Sequence, residues 1–439
     1  MPPSSATVDS FRQASYNIIG DPPLIDAFIR ALKGRKMRAC SFLGLLALPL
    51  AIQTTTAQVG SSAGPPLLKD SLITSLVARV SEPSVSWTIN GLQSFGSRFC
   101  ENSNLTAIVG WLEEKFYSTG VATVYVDSFY YSGLLERNVV AVIPGDSLPQ
   151  KEIVIGAHYD SYSTNLAAAP GADDNASGVS AVMEILRVLE SAGYRPTVTL
   201  KFIAFAAEEV GLKGSFDYAG KAKERGDDIV LMHNFDMISY RNRISPNWNM
   251  SLIWYTGYED VAALDSAAMT TYTRLHPVRS TSQRTRSDSY PFYFNDFNVI
   301  YSAAADLNPY YHTPKDLLDS MDVSYAAEII RAGLALVLTV DRSYSQSPPL
   351  VPVTARVYQN YPNPFNPETV IRYDLPAPGH VTLTVYDALG REVERLFDGT
   401  RDAGTYRARW NAAGRASGVY FCHLRLDGSS QSIKMMVVR

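Results

Sequence analysis

Two neighbouring stretches decide the reading of this chain: Glu152-Ile-Val-Ile-Gly-Ala-His-Tyr-Asp160 and, shortly after it, Gly171-Ala-Asp-Asp-Asn-Ala-Ser-Gly178. An apolar run ends on two ligand-type side chains, and an acidic turn bounded by glycines then opens into a helix. In that helix, Ala176–Glu190, the residues Val179, Val182, Met183, Leu186 and Leu189 fall at i, i+3, i+4, i+7 and i+10, which is one buried face. Working outward, Thr197–Phe205, Ile229–Met232 and Asn298–Tyr301 are further short β-rich runs between helical stretches. Strand–helix–strand alternation over residues 67–344 predicts an α/β fold with a mixed, largely parallel central sheet flanked by helices.

The pattern changes on both sides of that block. Ser345-Gln-Ser-Pro-Pro-Leu-Val-Pro352 breaks every periodicity, so residues 345–353 read as a linker. Beyond it, over 354–439, His380–Tyr386, Thr405–Trp410 and Gly418–Leu426 alternate with period two between turn residues, which predicts a small all-β sandwich. None of the candidate ligands named below lies in it, and its strand pattern is self-contained. It is therefore expected to fold separately and to add nothing to the chemistry. At the other end, Lys33, Arg35, Lys36 and Arg38 precede the apolar Ser41–Ile52, and small residues follow to Ala57. That is the order of a secretory signal peptide, so residues 1–57 are an N-terminal extension and export signal. The 36 residues before Met37 are more than an n-region needs, and Met37 is read as the true start.

Composition excludes several classes. With 46 % hydrophobic and 19 % charged residues, the 439-residue chain is not disordered throughout. A net charge of −4 argues against nucleic-acid partners, which require concentrated positive charge. No apolar run reaches the roughly 18 residues of a bilayer span, so no membrane span is expected in the mature protein. Cys40, Cys100 and Cys422 are far apart and lack CxxC spacing, which leaves His, Asp and Glu as metal donors.

The polar residues that follow the apolar runs carry the chemistry. His158 and Asp160 end the first run, Glu208 and Glu209 follow Phe202–Ala207, Asp236 follows Ile229–Phe235, and His312 follows Val299–Ala305. Sites in open α/β sheets form beyond the carboxyl ends of strands, so these residues can converge. Asp173 or Asp174 alone could be a helix cap, but five ligand-type residues at strand ends form a set. Asp174, Glu209 and Asp236 contribute −3 against +4 for two zinc ions, and a bridging hydroxide brings the site near neutrality. One carboxylate must then bridge, and Asp174 on its tight turn suits that. Donors without thiolate favour zinc, with cobalt or manganese as alternatives. Glu208, beside a ligand but not needed as one, is the natural general base. Asp160 is placed to accept the second ring N–H of His158.

On these motifs, with Ala207-Glu-Glu209, Asn234-Phe-Asp-Met237 and Tyr311-His-Thr-Pro314, residues 70–343 resemble the M28-type zinc aminopeptidases, co-catalytic dizinc exopeptidases. The resemblance implies one zinc held by His158, Asp174 and Asp236 and a second by Asp174, Glu209 and His312, with Glu208 as base. It also implies a role for Tyr311 near the transition-state oxyanion. Ser287-Asp-Ser-Tyr-Pro-Phe292 resembles the family's Ser-Asp-His stretch, with Ser289 replacing the His. Tyr358-Gln-Asn-Tyr-Pro-Asn-Pro-Phe-Asn-Pro367, Gly418-Val-Tyr-Phe421 and Lys434-Met-Met-Val-Val-Arg439 are similar to type IX secretion sorting domains, β-sandwiches on exported proteins of Bacteroidetes-like bacteria. The implied function is a secreted or cell-surface aminopeptidase, exported through the periplasm. It would act on peptides through a dizinc-bridged water and be recognised by the type IX machinery. A glutaminyl cyclase-like transferase or a carboxypeptidase/dipeptidase on the same fold is the alternative.

Overall fold

Three helices lead into the sheet: α1 (Ser71–Val77), α2 (Glu82–Gln93) and α3 (Leu105–Ser118). The Asp70 carboxylate caps α1 by accepting from the Leu72 and Ile73 amides at 2.8 and 3.1 Å. Ile89, Leu92, Ile108, Leu112 and Phe116 are the fully buried faces of α2 and α3. The structure is a computed structural model and describes residues 67–242, 247–255, 257–281, 283–346, 355–426 and 429–438. The signal-peptide reading, Met37 and residues 347–353 of the linker lie outside the described residues.

The α/β domain continues through β1 (Thr123–Tyr131), β2 (Leu134–Ile143), β3 (Leu148–His158), α4 (Gly178–Ser191), β4 (Val198–Phe205), α5 (Lys213–Arg225) and β5 (Asp228–Phe235). It closes with β6 (Asn249–Ile253), α6 (Glu259–Tyr272), β7 (His276–Ser280), α7 (Ser289–Phe294), β8 (Val299–Ala304) and α8 (Val323–Gln346). The sheet order is β1-β2-β4-β3-β5-β8-β6-β7. Its centre, β4-β3-β5-β8, is parallel, while β1–β2, β2–β4 and β6–β8 pair antiparallel. The sheet is thus mixed with a parallel centre, as the alternation predicts. Central strands buried on both faces read as continuous apolar runs, whereas the outer β1 alternates between exposed and half-buried positions and gives no such run.

Helix α8 extends to Gln346, two residues into the stretch read as linker from Ser345. Residues 323–345 of it are, by length and composition alone, apolar enough to cross a bilayer, although Glu328, Arg331 and Asp341 interrupt the apolar run. Its apolar window is 72 % buried, and Ile329, Ile330, Leu334, Leu336, Val337 and Leu338 belong to the main core.

Beyond it come β9 (Arg356–Val357), β10 (Glu368–Leu375), β11 (Gly379–Asp387), β12 (Glu392–Arg401), β13 (Gly404–Asn411), β14 (Gly418–Leu426) and β15 (Ser429–Val437). They form a three-stranded sheet, β13-β10-β9, and a four-stranded sheet, β12-β11-β14-β15. Ile371, Tyr373, Leu383, Trp410, Cys422 and Leu424 fill a core of their own.

Candidate metal centre

Register places the site. The ladders pair His158 with Phe205, Gly156 with Asn234 and Phe235 with Ser302, so β3, β4, β5 and β8 end side by side. Glu208 and Glu209 after β4 and Asp236 after β5 therefore emerge beside His158. Three non-glycine residues here are left-handed: Ala207 (φ 55°), Met237 (φ 54°) and His312 (φ 56°). Such backbone costs about 1–3 kcal/mol per residue and persists where the surroundings over-determine it.

Asp174 sits in a tight turn, Ala172–Ser177, between β3 and α4. The Asn175 side chain ties that turn to the neighbouring strand end. Its Nδ2 donates to the Phe235 carbonyl at 2.9 Å, and its Oδ1 accepts from the Gly178 and Met237 amides at 2.9 and 3.2 Å. A Cβ at position 178 would fall 2.3 Å from the Phe235 oxygen, so only glycine allows this approach. Neither Asp173 nor Asp174 caps the helix: Asp173 accepts from the Ser239 amide and hydroxyl, both at 2.8 Å, and from Asn308 at 3.1 Å.

The carboxylate of Asp174 lies between the two histidines. Its Oδ1 is 3.4 Å from His158 Nε2 and its Oδ2 is 3.1 Å from His312 Nε2. Asp236 Oδ1 approaches His158 Nε2 at 3.6 Å, and Glu209 Oε2 approaches His312 Nε2 at 3.1 Å. Two overlapping triads have donor atoms within 4.8 Å of one another: His158, Asp174 and Glu209, and His158, Glu208 and Asp236. All five candidate ligands and Glu208 are thus brought together, although the second triad groups Glu208, rather than Asp174, with His158 and Asp236.

Asp160 differs from its expected part. The nearest contact of His158 Nδ1 is the main-chain oxygen of Asp160, at 3.2 Å, with the carboxylate behind it at 3.5 Å. The carboxylate instead accepts from the Glu208 and Glu209 amides at 3.0 and 3.1 Å, fixing the loop that carries both glutamates. The Tyr311 ring stacks on His312 with centroids 3.7 Å apart and is 43 % exposed, at the open side of the cluster. Ser289 is fully buried and shares its hydroxyl with Tyr255 at 2.7 Å.

Three residues have supporting roles that sequence reasoning misses. Asp316 accepts from the Asp173 amide at 3.1 Å and the Asp174 amide at 3.0 Å, holding the turn. Ser287 donates to Asp236 at 2.6 Å and accepts from Asn234 at 2.6 Å. Arg98, fully buried, donates to the carbonyls of Tyr159, Leu92, Pro170 and Gly171. The available signals were slight: an Asp four residues past His312, and a lone Arg in Phe95-Gly-Ser-Arg-Phe-Cys100.

The electrostatics fit a cation. Among the described residues, the buried side-chain atoms Glu209 Oε1 and Asp236 Oδ1 have no hydrogen-bond partner. Burial pushes the Glu209 carboxyl up to about 7. Although burial opposes it, contact with Asp174 and Glu209 raises His312 to about 10, and His158 is held well above its ordinary value by Glu208, Asp160, Asp174 and Asp236. Side chains that gather protons this strongly form a site where a divalent ion, which must displace those protons, is the better counter-charge. Imidazole and carboxylate donors without thiolate suit zinc among such ions.

Residues 138–337 match the model of Peptidase family M28, and residues 359–439 match that of a secretion system C-terminal sorting domain. A probable leucine aminopeptidase of Arthroderma otae is 27 % identical over 289 residues, 63 % of this chain and 77 % of that one. A probable zinc metalloprotease of Pyrenophora teres f. teres is 35 % identical over 187 residues, 37 % of this chain and 40 % of its own. The crystal structure of the LapA aminopeptidase of Legionella pneumophila superposes with a TM-score of 0.56 at 24 % identity, covering 63 % of this chain and 78 % of that one.

Proposed function

Since residues 138–337 are a peptidase family M28 domain and the chain is a peptide hydrolase, we propose that it is an exported zinc aminopeptidase that removes N-terminal residues from peptides. The observation that carries this reading is the Asp174 carboxylate, whose two oxygens face the two histidines at 3.4 and 3.1 Å. His158, Asp174 and Asp236 would hold one zinc ion and Asp174, Glu209 and His312 the other. When bound, zinc supplies Lewis acidity toward the scissile carbonyl and the attacking water.

The chain's own residues do the rest. Glu208 Oε2 takes the proton of the attacking water and returns it to the leaving amine. Asp160 keeps Glu208 and Glu209 in register through their amides. The Tyr311 phenol, held above its ordinary value by burial and by Asp174 and Glu209, stays protonated and serves as a donor at the edge of the site. The sorting domain at residues 359–439 supports export to the outside or the cell surface by the type IX machinery, by way of the periplasm.

Purified protein is expected to hold two divalent ions per chain by elemental analysis, to lose activity with a chelator, and to cleave aminoacyl amides with a free but not a blocked N-terminus. Saturation at one ion with full activity overturns the two-metal reading. Indifference to the blocked N-terminus overturns the aminopeptidase reading. A glutaminyl cyclase-like transferase needs fewer such donors, so the same metal count separates it. Asp316→Ala frees the turn under Asp174 and is expected to weaken metal binding about 10–100-fold, as loss of a ligand's supporting partner does; titration against a chelating dye measures it, and unchanged affinity removes Asp316 from that role.

A further inference from the structure

Strand β13 has an outer face that its own sandwich does not use. Period two sends Tyr406, Ala408 and Trp410 toward the sandwich core and leaves Arg407 and Arg409 on the opposite side. Both arginines reach the α/β domain. Arg407 donates to Asn298 Oδ1 and Asp260 Oδ1, each at 2.7 Å, with its guanidinium 4.5 Å from the Tyr258 ring centre. Arg409 donates to the carbonyls of Tyr293 and Phe294 at the end of α7 and lies 4.3 Å from the Tyr293 ring centre. Their side chains are only 12 and 14 % exposed. Beside them, Val370 of β10 packs so close to Gly257 that a Cβ there would come within 2.8 Å.

We propose that Arg407 and Arg409 latch the sandwich onto the α/β domain, and that this latch keeps the β13–β10 face covered while leaving the four-stranded sheet for whatever reads the sorting domain. The expectation that the sandwich folds on a core of its own is compatible with this docking. The occupant of that face is the chain's own α/β domain, and the inference does not depend on the catalytic reading. Chemistry makes the latch separable. Planar guanidinium groups stacked on tyrosines and donating to carbonyls give geometric specificity. Around them, however, the two domains leave a cleft of about 430 Å³ rather than a packed apolar seam. An interface interrupted by such a cleft depends on a few contacts, so removing two arginines should open it. On the four-stranded sheet, β15 keeps Gln431, Ser432, Lys434 and Met436 exposed, a surface the latch leaves free.

The test uses the full chain. Small-angle scattering and thermal unfolding are compared for the wild type, Arg407→Ala with Arg409→Ala, and the control Arg395→Ala, whose partners Glu392 and Asp398 lie within the sandwich. The wild type and control should share one compact radius of gyration and one unfolding transition. The double variant should show a larger radius and a second, separate transition. Asp260→Ala with Asn298→Ala, which cuts the latch from the other side, should reproduce this, so a misfolded sandwich cannot mimic the result. A wild type already extended in solution, or double variants as compact and cooperative as the wild type, overturns the proposal.

Discussion

Glu208→Gln is expected to leave fold and metal content intact while lowering kcat by about 10²–10⁴-fold, the usual worth of one general base. Gln fills the same volume and keeps the backbone amide that Asp160 holds at 3.0 Å, so position and packing survive. What disappears is the proton affinity of the carboxylate. Burial, and then the neighbouring carboxylates of Glu209, Asp288 and Asp236, raise Glu208 well above the ordinary carboxyl range, with His158 opposing. A base so placed is avid for a proton, and a divalent ion nearby would bring it back toward neutrality. Because Glu208 also falls in a triad with His158 and Asp236, elemental analysis must accompany the kinetics. Two ions retained with kcat collapsed identifies the base. One ion lost identifies a ligand, and near-native turnover dismisses Glu208 from the chemistry.

The proposed ligand set was legible because His158, Glu209, Asp236 and His312 follow apolar runs whose ends parallel strands align, whatever their distance along the chain, while Asp174 stood out on an acidic turn. His158 and His312 are 154 positions apart yet share Asp174. The parallel centre of the sheet was legible for the same reason, since strands buried on both faces are continuous runs of apolar residues. The hairpin β1–β2 and the strands β6 and β7 at the other end of the sheet were not, because these short or outer strands carry mixed residues without a clean period. Supporting residues were hidden by a different cause. Asp316 acts on the Asp173 and Asp174 amides, and Arg98 on four main-chain carbonyls, so their partners carry no side-chain signature. Asp160 shows the limit within one residue: its nearness to His158 could be read from spacing, but its carboxylate serves the amides of Glu208 and Glu209 instead.

Arg98 carries the largest expected effect on stability. Its guanidinium is 0 % exposed and donates through Nε to Tyr159, through Nη1 to Leu92 and Pro170, and through Nη2 to Gly171, at 2.6–3.1 Å. Burial lowers it to about 10 against the pull of Asp316, Asp160, Asp174 and Glu209, so it remains a cation at neutral pH. It is thus a fixed counter-charge beneath a carboxylate cluster and a tie between α2 and the loop leading to Asp174. Arg98→Met fills much of the volume but strands the carbonyls and leaves the carboxylates less compensated. Breaking a buried charged network by removing one partner costs about 3–5 kcal/mol. For a domain of this size, at about 2–4 °C per kcal/mol, Tm should fall by roughly 6–20 °C. Arg98→Lys restores charge without the planar fork and should recover only part of the loss. The deficit should narrow when zinc is added, since a metal that binds the folded site stabilises it by mass action and supplies the missing positive charge. A Tm for Arg98→Met within about 2 °C of the wild type, with or without metal, would show that the carbonyls find other donors and that Arg98 supports neither the turn nor the cluster.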